Sequence, residues 1–129
     1  MKNILAYFEE VQSLIQRLAR VEIERYEEQV LSKDRGNLRI RLRFRDNSLL
    51  ELSEAIHNKE GMFTWLSYRY HYQTSDGRII FRYDNTPHHP EVSTYPDHKH
   101  IGESIVEAVR PNIKQVLDEV KSTLHCKNL

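Results

Sequence analysis

Four histidines, His88, His89, His98 and His100, fall within thirteen residues of a 129-residue chain that holds seven in all. At the chain's own histidine frequency such a window would hold fewer than one. Imidazole is the side chain whose unperturbed pKa lies nearest neutrality. Two imidazoles can therefore divide the work of general base and general acid at neutral pH. RNA cleavage asks for that division, because one group must take the 2′-hydroxyl proton and another must protonate the leaving oxygen. A cation then stabilises the charged phosphorane, and Lys99 or an arginine is the nearest supply. This chemistry calls on no metal and no cofactor. The same residues also permit a metal reading. His98 and His100 fall on one side if that stretch is extended. His88 or His89, with Asp84, Glu91 or Asp97, could then complete a nitrogen and oxygen set for zinc or manganese, although the spacing matches no standard zinc motif. The plainest reading is a surface loop whose histidines cap strands and fill gaps between prolines.

Two further stretches bear on a phosphate-rich substrate. Arg39, Arg41, Arg43 and Arg45 alternate with Leu38, Ile40, Leu42 and Phe44. Such a strand would carry its arginines on one face at intervals of roughly 6.7 Å. Arginine pairs with phosphate in bidentate fashion. Glu22, Glu24 and Glu51 could instead use up this charge in cross-strand ion pairs. The aromatic stretch from Trp65 to Tyr72 places Leu66, Tyr68, Tyr70 and Tyr72 on one face. Trp65, Ser67, Arg69 and His71 take the other, if the alternation is unbroken. The tyrosines suit a core with hydroxyls at its rim. Arg69 and His71 would then face the same side as Arg82, near the start of the histidine segment.

The elements that must hold these residues can be read in outline. Ile4, Phe8, Val11, Ile15 and Leu18 recur at helical spacing, which predicts a helix over 4–18 with Asn3 as its N-cap. Residues 21–31 alternate and then break at Glu27 and Glu28, so they fit either a bulged strand or a continued helix. Strands are predicted over 38–45, 49–56, 63–73 and 78–84. Lys33 to Asn37, Asp46-Asn47 and Ser75-Asp76-Gly77 supply the turns. Connections this short make an antiparallel meander. Residues 85–100, broken by Pro87, Pro90 and Pro96, predict an irregular functional loop. Pro111 suits the first turn of a final helix, on which Ile113, Val116, Leu117, Val120 and Leu124 form the apolar stripe. The expected fold is α+β: a sheet of about five strands flanked by an N-terminal and a C-terminal helix, both on one sheet face. Residues 1–129 are expected to form a single domain.

Composition narrows the function. The chain has 19 Lys and Arg against 19 Asp and Glu, for a net charge of zero with His neutral. A disordered polyelectrolyte and a polybasic binder are both excluded. The neutrality is uneven, since residues 32–84 carry ten cations against seven anions. Cys126 is the single cysteine, which rules out an internal disulfide and suits a reducing compartment. The apolar run near the start is too short for a secretory leader, and no run reaches the length of a membrane helix. These features predict a cytoplasmic protein with no membrane partner. No phosphate-cradling glycine loop and no Gly-x-Ser-x-Gly motif occurs.

The stretch Tyr68-Arg69-Tyr70-His71-Tyr72-Gln73, then Phe81-Arg82-Tyr83-Asp84-Asn85-Thr86-Pro87-His88-His89-Pro90-Glu91 and Pro96-Asp97-His98-Lys99-His100, resembles the TumE-like family. The resemblance runs from the arginine-rich strand to the final helix. Its most specific part is the block from Arg82 to Glu91 with the His98-Lys99-His100 triplet. The family pattern would place a histidine where Asp97 stands. The resemblance implies the toxin of a type II toxin–antitoxin system, in a bacterial or archaeal cytoplasm, held inactive by an antitoxin encoded nearby. Combined with the residues, it predicts a metal-independent ribonuclease. His88, His89, His98 and His100 would be its catalytic histidines, and Arg69, Arg82, Lys99 and His71 would bind the RNA substrate. A non-catalytic binding protein and a metal-dependent nuclease are the alternatives. A homodimer is compatible with the sequence.

Overall fold

The structure of the chain is a computed structural model that describes residues 3–127, with side chains from 3 to 124. The Cys126 thiol lies outside the described side chains. In chain order the elements are α1 (Ile4–Gln16), β1 (Glu22–Ser32), β2 (Arg35–Arg43), β3 (Leu49–Lys59), β4 (Met62–Gln73), β5 (Ile79–Asp84), β6 (His98–Ile101), β7 (Ser104–Glu107) and α2 (Ile113–Lys127). The seven strands form one sheet in sequence order, every pair antiparallel. The α+β class and the meander agree with the sequence reading. The strand count does not: among the described residues the sheet has seven, not about five. The ambiguous segment is strand β1, bulged twice. The second half of the expected histidine loop is strand β6, which turns back into β7. Gly102, at φ +56, stands first in that two-residue turn, where a positive φ favours glycine.

Both helices lie on one sheet face. Ile4, Phe8, Val11 and Ile15 of α1 join Ile113, Val116, Leu117, Val120 and Leu124 of α2 in a single core. From the sheet come Leu38, Ile40, Leu42, Leu50, Leu52, Ile56, Tyr68, Tyr70, Tyr72 and Phe81. Burying a side chain the size of Phe8 contributes about 2 kcal/mol. Helix α1 sits directly on Gly36, where a Cβ would meet Ile4 Cγ2 at 2.7 Å. The Asn3 side chain accepts from the Ala6 amide at 2.8 Å and starts α1 as predicted. Helix α2 starts differently. Pro111 precedes the cap, and Asn112 and Gln115 bond each other's backbone amides at 2.8 Å each.

One bulge changes the aromatic strand. Ala55 pairs with Ser67 but Ile56 pairs with Trp65, so Leu66 is the extra residue. The alternation reverses there. Trp65 and Phe63 therefore pack against the core with the tyrosines, and Leu66 is left exposed. Beyond the bulge the expected parity holds.

Candidate active site

The face opposite the helices is built from cross-strand rows. Arg41 pairs with Glu51, Glu51 with His71, His71 with Arg82, and Arg82 with His100. The next row runs Arg39, Ser53, Arg69, Asp84, His98 and Glu107. Cross-strand partners in an antiparallel sheet share a face. Pairing alone thus brings Arg69, His71, Arg82, Asp84, His98 and His100 to one surface, as the expected register of β4 and β5 required.

The loop between β5 and β6 closes over the end of these rows. Asp84 Oδ1 accepts from the Thr86 amide at 2.9 Å, and Asn85 Oδ1 accepts from the Tyr68 amide at 3.2 Å. Residues 88–97 continue as successive turns, with a cis bond between Tyr95 and Pro96. This path brings His89 back over β6. The ring centroid of His89 lies 4.9 Å from that of His98 and 5.8 Å from that of His100. His98 and His100 are themselves 4.9 Å apart, centroid to centroid.

Burial divides the labour among the three rings. The His98 side chain is 2% exposed, whereas His100 is 21% and His89 25% exposed. His98 Nδ1 lies 2.9 Å from the Pro96 carbonyl oxygen. A carbonyl only accepts, so Nδ1 carries a proton. Its Nε2 lies 3.0 Å from Asp84 Oδ1 and 3.2 Å from His100 Nε2. His100 Nε2 is 3.6 Å from Asp84 Oδ2. His89 Nδ1 lies 3.3 Å from Glu91 Oε1, and a carboxylate likewise fixes the proton on that nitrogen. Burial lowers the His100 pKa, Asp84 opposes the shift, and His98, Arg82 and His89 add to it. His100 is thereby kept neutral, with a lone pair for proton transfer.

Arg82 adds the cation. Its Nε donates to His71 Nδ1 at 3.1 Å, and His71 Nε2 meets Gln73 Oε1 at 2.8 Å. Burial also lowers the His71 pKa. A neutral His71 accepts from Arg82 and orients the guanidinium. Arg69 is exposed beside Asp84 in the same row. Farther along the face, Glu24 binds both Arg41 and Arg43, at 2.9 and 3.0 Å. The charge of those two arginines is used in the sheet.

Two of the expected residues are not brought to this surface. Lys99 stands between His98 and His100 in β6 and so points to the helix face. Its ammonium pairs with Glu119 of α2 at 2.7 Å and lies 4.7 Å from the centre of the Tyr83 ring. His88 is exposed and outside the cluster of His89, His98 and His100. Asp97, weighed as a metal ligand, instead accepts from the Tyr68 hydroxyl at 2.8 Å. Sequence reasoning also missed Glu54, a buried carboxylate on the core face. It accepts from Tyr7 at 2.6 Å and from Tyr70, with Arg110 Nη1 at 4.0 Å. Its only sequence signal is a charge at an apolar position of β3.

A family model described as Toxin TumE matches residues 11–124. No curated protein and no solved structure matches the chain. Among the described residues, no helix is long and apolar enough to cross a membrane.

Proposed function

The chain belongs to the Toxin TumE family, and on that premise we propose that it is the toxin of a type II toxin–antitoxin pair that cuts RNA in the cytoplasm. The observation that carries this reading is the pair of part-exposed imidazoles, His89 and His100, 5.8 Å apart over a buried His98 and Asp84. Arg82 shares their face. His100 takes the proton of a 2′-hydroxyl, and the oxygen attacks the adjacent phosphorus. His89 in its protonated form gives a proton to the leaving 5′-oxygen. The products are a 2′,3′-cyclic phosphate and a 5′-hydroxyl, and no metal or cofactor enters the step. Arg82 and Arg69 hold the phosphate, with His71 orienting Arg82. His98, too buried to touch RNA, positions His100 and holds it against Asp84. The partner that restrains the toxin is a protein antitoxin.

The test replaces His89 and His100 with Ala in turn. Cleavage of a labelled RNA by the purified protein is expected to fall about 100-fold or more for each. Circular dichroism and RNA binding should stay near wild type. Growth inhibition that persists unchanged in the double variant would show that the toxin works by binding and not by cleavage.

A further inference from the structure

The hydrogen-bond directions around His98 turn its second ring nitrogen toward Asp84 and His100. Its Nδ1 proton is committed to Pro96. A neutral His98 therefore aims the Nε2 lone pair at Asp84 Oδ1 and at His100 Nε2. His89, with its Nδ1 proton on Glu91, has a lone pair on Nε2 as well. One ligand atom from each of His89, His98 and His100 lies within 4.8 Å of the others. These nitrogens and the Asp84 carboxylate meet beside the buried His98, and they must share either a proton or a metal cation.

The distances fit a metal. Nitrogen and oxygen ligands about 2.0–2.1 Å from a tetrahedral ion are about 3.3 Å apart. His98 Nε2 and His100 Nε2 are 3.2 Å apart, and Asp84 offers an oxygen to each, Oδ1 at 3.0 Å from His98 Nε2 and Oδ2 at 3.6 Å from His100 Nε2. Only His89 must move inward, and it sits on the turn-rich loop. The outer contacts fit too. Histidines that bind metals generally donate their second ring N–H to a carbonyl or a carboxylate. His98 does so to Pro96, and His89 to Glu91. Three imidazoles select a borderline ion such as zinc over magnesium or calcium, which take oxygen ligands.

We propose that His89, His98, His100 and Asp84 form a closed four-coordinate site for a zinc-class divalent ion, and that the bound ion silences proton transfer. Four protein ligands leave no position for an activated water, which a catalytic zinc site keeps open. The ion also takes the lone pairs of His89 and His100. The metal site stands on the geometry alone, whereas the silencing rests on the ribonuclease reading.

The experiment uses the full chain freed of metal by a chelator and then dialysed. Cobalt(II) is titrated in and followed by visible absorption. The expected result is one equivalent bound with the intense band of tetrahedral cobalt, displaced by zinc. His89→Ala should weaken binding at least roughly tenfold. X-ray absorption at the zinc edge of the wild-type protein should find three imidazoles, which keeps the test sound if that variant misfolds. A weak six-coordinate band, or none, overturns the site. RNA cleavage should fall as zinc fills the site, and cleavage that rises with zinc overturns the silencing. A chain that cuts no RNA in chelator or in zinc defeats the ribonuclease reading instead, and the cobalt titration still decides the site.

Discussion

His98 Nε2 lies 3.0 Å from Asp84 Oδ1, and the two residues stand directly opposite each other on β6 and β5. Both side chains are buried, and each has a further partner of its own, the Thr86 amide for Asp84 and the Pro96 carbonyl for His98. Asp84 Oδ1 also accepts from the Thr86 amide, and leaving a buried donor unsatisfied costs about 1–3 kcal/mol. Asp84→Ala is therefore expected to lower the unfolding free energy by about 1–3 kcal/mol, measured by denaturant titration. RNA cleavage should fall with it at temperatures where the variant is still folded, because His100 loses its fixed neighbour.

Lys99 and Arg82 should separate cleanly, since they occupy opposite faces. Lys99→Ala removes an ion pair with Glu119 and a contact with the Tyr83 ring. A loss of about 1–2 kcal/mol of stability is expected, with RNA affinity and cleavage unchanged. Arg82→Gln should do the reverse. One lost phosphate contact lowers the slope of log affinity against log salt by about 0.7 for single-stranded RNA. Binding measured at several salt concentrations reads both outcomes.

Glu54 sets a pH dependence of stability. Burial raises its pKa above the ordinary 4.5, and the hydrogen bonds from Tyr7 and Tyr70 only partly oppose this. Above 4.5 the unfolded chain gives up this proton while the folded chain still holds it. The contribution of Glu54 is therefore full below 4.5 and declines as pH rises through the raised folded value. Unfolding of wild type and Glu54→Gln across pH 4–8 tests this. The stability of wild type relative to the variant should fall steadily with rising pH.

Gly36→Ala should loosen α1. The added Cβ would meet Ile4 Cγ2 at 2.7 Å and Phe8 Cζ at 3.1 Å. Overpacking of this kind costs about 1–3 kcal/mol. A lower Tm with the same cleavage rate for the folded fraction is expected, because the helix and the histidines lie on opposite faces.

How legible the site was depended on parity. Alternation in β5, and in β4 beyond its bulge, made the shared face of Arg69, His71 and Arg82 readable, because each side chain's direction follows from counting by two. The same count applied to His98-Lys99-His100 sends Lys99 away from both histidines. Treating residues 85–100 as loop hid that rule. Strand β6 went unread because His-Lys-His-Ile has no apolar alternation and its partner, Ser104–Glu107, is equally short. Trp65 was misplaced because a bulge at Leu66 leaves no mark in composition. The return of His89 over β6 depends on the turns of residues 88–97 and has no periodic signal at all. The Asn112–Gln115 cap was visible in the sequence and was overlooked in favour of Pro111.

The order of the sheet has a consequence for the timing of synthesis. Every strand pairs with the one made immediately before it, so the growing chain can add strands in the order in which they leave the ribosome. The histidine cluster depends on the sixth of seven strands, where His98 and His100 meet Asp84 and Arg82. A nascent chain that has completed only β1 to β5 carries the arginines but none of the three clustered imidazoles. The histidine cluster is therefore assembled late, and a chain halted before His98 lacks two of its three imidazoles together with β6 and β7.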